Sequence, residues 1–107
     1  MAGQVLDALL AELPDATFAP GSDEYCSATA PDNSSFAQSP CAVVRPRSAD
    51  EMARAVAVAA RLGSRVGVQA TGVGAGAPIG ADEVLLDTSA LRDVTVDPAA
   101  RTARVGV

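Results

Sequence analysis

Residues 66–80 read Val-Gly-Val-Gln-Ala-Thr-Gly-Val-Gly-Ala-Gly-Ala-Pro-Ile-Gly, and the rest of the chain is organised around them. The first three residues are typical of a short buried strand, and from Ala70 onward the side chains are small or absent until Pro78. Glycines permit positive φ, so consecutive backbone N–H groups can turn inward together and receive an anion. The pattern predicts a loop that binds phosphate or pyrophosphate. The alternative is a glycine-rich connection between two strands.

Two familiar phosphate-binding motifs do not match this loop. A P-loop ends in Gly-Lys-Ser/Thr, and the chain contains no lysine. A dinucleotide fingerprint needs Gly-x-Gly-x-x-Gly, but counting from Gly72 or Gly74 brings the third glycine position to Ala77 or Ile79. We therefore expect any phosphate to contact the backbone of the loop.

The charge balance limits the classes of partner. Thirteen acidic residues against eight arginines give a net charge of −5 over 107 residues, which disfavours nucleic acid and anionic membranes. The amino terminus lacks a basic segment, and no apolar run approaches the length of a membrane span. The sequence predicts a cytoplasmic protein of one domain, or part of one.

The composition also limits the chemistry. The chain has no histidine and no Cys-x-x-Cys, which excludes the Ser-His-Asp and Cys-His arrangements and leaves no ligand set for a transition metal. Its cysteines, Cys26 and Cys41, are expected to be reduced thiols. We predict no metal site.

The amino-terminal part of the chain differs in character from the rest. Apolar residues at helical spacing predict a helix over 3–13, ended by Pro14. Residues 15–40 are rich in Ser, Pro, Asp and Ala and predict a long irregular arm, with a helical turn around 22–27. Residues 1–40 are therefore interpreted as a helix and an arm preceding the main fold.

A βαβ unit is predicted before the loop. Residues 41–45 are typical of a buried strand and 65–69 of a second strand, and Ser48 with Glu51 forms a capping box that begins a helix over 49–62, ended by Gly63. We expect parallel strands and a right-handed crossover. The loop follows the carboxyl end of the second strand, where open α/β sheets bind ligands.

The remaining residues predict further β-structure. Residues 84–87 form a strand and 89–92 a turn, and residues 94–96 pair with 102–107 in a hairpin across 97–100. The fold class is thus α/β (α+β), with a βαβ unit followed by a hairpin.

Several segments come in a familiar order: Val-Val-Arg-Pro-Arg-Ser at 43–48, the capped helix, Val-Gly-Val-Gln-Ala-Thr-Gly at 66–72, and Asp-Pro-Ala-Ala-Arg-Thr-Ala-Arg-Val at 97–105. Over roughly residues 15–107 the chain resembles FAD-linked oxidoreductases of the vanillyl-alcohol oxidase and p-cresol methylhydroxylase (PCMH) type. The resemblance implies that residues 41–107 are the first part of a PCMH-type FAD-binding domain. It also implies that FAD oxidises a small organic substrate.

Carried over by position, the family's pyrophosphate loop falls on Gln69, Ala70, Thr71, Gly72, Val73, Gly74, Ala75 and Gly76. The resemblance gives Pro46 and Ala77 as weaker candidates for lining the cofactor. Many family members have a histidine where this chain has Val73, and that histidine bonds covalently to the flavin. Because valine has no nucleophilic atom, the resemblance here implies FAD that is not covalently held through this segment.

Family members of this type continue well beyond the matched region, and the residues that handle substrate lie there. No catalytic residue is named for this chain, and alone it is expected to be inactive. The alternative is a shortened derivative that serves as an interaction or assembly module and pairs an open edge strand with another chain. Arg45, Arg47 and Asp87 are assigned no chemistry, and Tyr25 is interpreted as a local anchor in preference to a contact with adenine.

Overall fold

The structure is a computed structural model that describes residues 2–29, 39–69 and 80–105. The helices are α1 (Ala2–Glu12), α2 (Asp23–Ala28) and α3 (Ala49–Arg61). The strands are β1 (Thr17–Phe18), β2 (Ala42–Val44), β3 (Arg65–Gln69), β4 (Glu83–Asp87), β5 (Val94–Asp97) and β6 (Thr102–Val105). Among these residues, no helix is long and apolar enough to cross a membrane.

Strands β1 to β4 form one sheet in the order β1-β2-β4-β3. Strand β4 pairs in parallel with β2 on one side and with β3 on the other, so that Leu85 lies opposite both Val43 and Gly67. The prediction of parallel strands joined by a helix is confirmed. The two strands of the βαβ unit are not neighbours, however, because β4 lies between them.

Helices α1 and α3 cover one face of this sheet. Leu9 of α1 is completely buried, and Val58 of α3 is nearly so. They share a cluster with Val44, Val84 and Leu86, which alternate along β2 and β4 and therefore point to the same face. This helix-on-sheet layer is the main core of the chain.

Helix α2 covers the opposite face. Its last residue, Ala28, packs with Val43 and Leu85, and Tyr25 and Phe18 complete this smaller cluster. The Tyr25 hydroxyl donates a hydrogen bond to the Pro40 carbonyl oxygen at 2.8 Å. Tyr25 therefore has the anchoring role that was expected of it.

The start of α3 differs in one bond from the predicted capping box. Ser48 Oγ accepts a hydrogen bond from the Glu51 N–H at 3.2 Å, as expected. The Glu51 carboxylate, however, accepts from the N–H of Arg47 at 2.7 Å instead of from that of Ser48. The Arg47 guanidinium also donates to both Glu51 oxygens and so draws the carboxylate towards residue 47. At the other end Gly63 has φ +71° and terminates the helix.

The segment predicted to be an irregular arm contains two short elements. Strand β1 pairs antiparallel with β2, placing Thr17 opposite Val44. The helical turn expected near 22–27 is confirmed as α2, with Ser22 as its N-cap. The sequence does not predict β1, because two residues are too few to show alternation.

The predicted hairpin is confirmed as β5 and β6, which form a two-stranded antiparallel sheet. Its register runs from Val94 opposite Val105 to Asp97 opposite Thr102. Asp97 Oδ1 accepts hydrogen bonds from the N–H groups of residues 99 and 100, and Arg101 has φ 56°. Asp97 thus stabilises the turn through its side chain.

Candidate functional site

The predicted loop begins where β3 ends, at the carboxyl ends of the parallel strands; this side of the sheet is called its carboxyl edge, and the opposite side its amino edge. Gln69 ends β3 and lies opposite Asp87, which ends the parallel strand β4. Ala70, Thr71, Gly72, Val73, Gly74, Ala75 and Gly76, together with Ala77, lie outside the described residues. Pro46 follows β2 at the same edge but is completely buried, which leaves its ring without surface for a ligand. The structure therefore describes the flanks of the loop, with Gln69 as the described member of the predicted set.

Gln69 is held on both sides. Its Nε2 donates a hydrogen bond to the carbonyl oxygen of Ala28 at 2.6 Å. Its own carbonyl oxygen accepts from the N–H of Thr88 at 2.9 Å and from Thr88 Oγ1 at 3.4 Å. These bonds connect the beginning of the loop to α2 and to the end of β4.

An ion pair joins the carboxyl ends of β2 and β4. Arg45 donates from Nε and from Nη2 to Asp87 Oδ2, each at 3.1 Å. The guanidinium carbon also lies 5.5 Å from the centre of the Phe18 ring, a cation–π geometry. Asp87 Oδ1 accepts a hydrogen bond from the N–H of Ser89 at 3.0 Å, so that Asp87 also stabilises the turn after β4. The ion pair was not predicted, because the sheet register is needed to bring its residues together.

A groove of about 490 Å³ opens between the first turn of α3 and the hairpin. Its lining includes the guanidinium groups of Arg47 and Arg104, the carboxylate of Asp93, and apolar side chains such as Met52 and Leu91. These segments follow the carboxyl ends of β2 and β4, so the groove lies towards the edge from which the loop departs. The groove therefore carries charges of both signs beside apolar surface.

The opposite edge of the sheet has a different character. A cavity of about 430 Å³ there is lined mainly by apolar atoms, including those of Leu6, Pro40 and Cys41. Burial raises the pKa of the Cys41 thiol, which keeps it protonated and a poor nucleophile. Burial likewise raises the pKa of Tyr25. In the described ranges no group of acidic, cysteine or histidine side chains is placed to hold a metal.

The fold is shared with solved flavoprotein structures. A glucooligosaccharide oxidase from Acremonium strictum, whose FAD is described as 6-S-cysteinyl, 8α-N1-histidyl, matches with a TM-score of 0.81 at 21% identity. BBE-like 1 from Physcomitrella patens matches with 0.74 at 28%, and a xylooligosaccharide oxidase from Myceliophthora thermophila with 0.73 at 23%. Each alignment covers 94% of this chain and 22% of the other, so the chain spans about a fifth of their length.

The comparison with curated protein sequences finds no match. The model of the FAD binding domain family matches residues 40–107, which is more than half of the chain. The resemblance inferred from the order of sequence segments is thereby confirmed. This chain belongs to the FAD binding domain family, with the PCMH-type fold and FAD as its cofactor.

Proposed function

We propose that the chain is the FAD-binding portion of a flavin-dependent oxidoreductase, with the pyrophosphate of FAD held on the backbone of residues 69–76. One observation carries the proposal. In a chain of the FAD binding domain family, the glycine-rich loop leaves the sheet at its carboxyl edge, beside Gln69 and Asp87.

The donor chemistry of the chain supports a backbone site. Without lysine, arginine is the cationic side chain available to a phosphate group, and backbone amides and hydroxyl groups are the neutral donors. The groove at the same edge is lined by Arg47 and Arg104, but Glu51 already neutralises Arg47 and Asp93 lies in the same lining. The loop amides therefore provide most of the attraction for the pyrophosphate.

The described residues contribute binding and orientation. Gln69 fixes the start of the loop, and the Arg45–Asp87 pair fixes the ends of the two strands beside it. When bound, FAD supplies the redox chemistry for oxidation of a small organic substrate. The residues of this chain hold FAD non-covalently.

Substitution of a loop glycine tests the site. Gly74→Glu places bulk and negative charge beside the phosphates, so we expect FAD affinity to fall by about tenfold or more, which is about 1.4 kcal/mol. Gly3→Glu is the matched control, because a side chain at Gly3 meets no atom within 4 Å. Titration of each purified variant with FAD, followed by flavin fluorescence, measures the affinity. Equal affinities in both variants would contradict the loop assignment.

A second candidate is an assembly module, favoured by the surface of the hairpin. Val94, Val96 and Val105 are 65%, 64% and 60% exposed, and a two-stranded sheet leaves edges open to pairing. Under this candidate the chain associates through β5 or β6, and Val96→Lys abolishes the association in sedimentation experiments. A chain that binds FAD and remains monomeric at high concentration contradicts it.

A further inference from the structure

Helix α2 is tied to the sheet near both of its edges. The Tyr25 hydroxyl bonds to the Pro40 carbonyl, just before β2 begins. At the other end the Ala28 carbonyl, in the last residue of α2, accepts the hydrogen bond from Gln69 Nε2. The helix thus spans the second face of the sheet from its amino edge to its carboxyl edge.

The position of α2 depends on these contacts. With six residues, the helix is too short to be stable by itself. Ser22 caps its beginning, and among the residues that the structure describes its buried contacts are those of the small cluster around Val43 and Leu85. Loss of a hydrogen bond at either end should therefore loosen the whole helix.

Gln69 is the residue through which α2 is hydrogen-bonded to the beginning of the loop. Its side chain bonds to α2, its carbonyl oxygen bonds to Thr88, and the next residue begins the segment predicted to receive the pyrophosphate. A peptide held from both sides sets the direction in which the following chain leaves. We therefore expect a displacement of α2 to reach Gln69, where the loop begins, through this hydrogen bond.

We propose that Gln69 is a positioning residue that couples the docking of α2 to the binding of FAD by the loop. The side-chain Nε2 of Gln69 orients the chain through its hydrogen bond to the Ala28 carbonyl oxygen. The inference rests on the proposed function for its FAD readout, whereas the contact between Gln69 and α2 can be tested without FAD.

Gln69→Glu is the central variant, because it preserves size and replaces the N–H donor by a carboxylate that the Ala28 carbonyl repels. Amide hydrogen exchange in the FAD-free chain reports on α2 through the N–H groups of Cys26 and Thr29, which bond within the helix. We expect these amides to exchange about tenfold faster in the variant. FAD affinity should fall by about fivefold or more. Gln4→Glu, on the exposed surface of α1, is the matched control and should change neither quantity.

Acid rescue separates positioning from general damage to the fold. The introduced carboxyl group becomes a donor again when it is protonated, and the neighbouring carbonyl raises its pKa. As the pH falls from about 8 to about 5, the difference between Gln69→Glu and the wild type should shrink in both measurements. A defect of packing alone would persist at the lower pH.

Tyr25→Phe tests the coupling from the far end of α2. The substitution removes the hydrogen bond to Pro40 at the opposite edge of the sheet. We expect FAD affinity to fall, because the change in the position of α2 reaches the loop through the helix. Its effect should be less than additive with that of Gln69→Glu, because both variants loosen α2. Unchanged exchange of α2 in Gln69→Glu, or unchanged FAD affinity in Tyr25→Phe, would overturn the proposal. A wild-type chain that binds no FAD would overturn the proposed function and the coupling with it, while exchange would still decide whether Gln69 holds α2.

Discussion

Arg45 and Asp87 are 42 residues apart in the chain, yet two guanidinium nitrogens of Arg45 lie 3.1 Å from the same Asp87 oxygen. The Asp87 side chain is 6% exposed and that of Arg45 is 29% exposed. The carboxylate is therefore buried and depends on its neighbours, since an unpaired charge there would lose its solvation. The pair fastens β2 to β4 at the edge where the loop departs.

Removal of Arg45 should destabilise the fold. Arg45→Ala leaves the Asp87 carboxylate buried without its cation, and we expect a loss of about 2–4 kcal/mol in the free energy of unfolding. Arg45→Lys should lose less stability than Arg45→Ala because it retains the positive charge. Some loss should remain, because lysine cannot form the two-nitrogen contact. Urea unfolding measures the difference. Arg65→Ala, at an exposed position of β3, is the control and should change stability by less than about 0.5 kcal/mol. Equal losses at residues 45 and 65 would refute a structural role for the pair.

The first turn of α3 should give stability a pH dependence. Hydrogen bonds from Arg47 lower the pKa of Glu51 to about 2 from its ordinary value of 4.5. Because the folded chain favours the ionised form, the stabilisation is complete above about pH 4.5 and is lost as the pH falls towards about 2. We expect the wild type to lose more stability than Glu51→Gln between about pH 7 and about pH 3, measured by urea unfolding.

Salt provides the control for this pH effect. The pair lies at the surface, so about 1 M NaCl should reduce the difference between the wild type and Glu51→Gln. Identical pH profiles for the two proteins would show that the Arg47 contact does not form in solution.

Any FAD bound by this chain should be released intact by acid precipitation. The chain contains no histidine, and position 73, where many family members have one, is a valine. Among the cysteines, Cys41 directly precedes β2, at the end of the sheet opposite to Gln69, and Cys26 lies within α2. The precipitated protein should be colourless. Flavin fluorescence that stays with the denatured polypeptide on a gel would reveal a covalent attachment at another residue.

The 107-residue chain with FAD should show no turnover. It spans about a fifth of the length of the solved relatives and offers no histidine as a base. Catalysis by a flavin also requires an oriented substrate and exclusion of water. Oxygen consumption with a panel of alcohols and amines provides the measurement. Steady oxidation of any of them would show that the chain holds a complete active site.

Local signals in the sequence were sufficient for most elements of the fold. The cap of α3, its terminating Gly63 and the turn at Asp97 each act within a few residues, so their structures could be predicted. Contacts between distant residues could not. The insertion of β4 between β2 and β3, the Arg45–Asp87 pair and the Gln69–Ala28 bond all depend on the sheet order, for which a single sequence carries no local signal. The assignment of residues 70–76 to the pyrophosphate stays a prediction.

Backbone amide chemical shifts test the central claim most directly. The ¹⁵N-labelled chain is titrated with FAD and, in parallel, with riboflavin, which has the flavin ring but no phosphate. We predict that FAD shifts the amides of residues 71–75 most strongly and that riboflavin leaves them largely unchanged, because the pyrophosphate is the group that they bind. Shifts from FAD that lie elsewhere, or the same loop shifts with riboflavin, would contradict a pyrophosphate site on this loop.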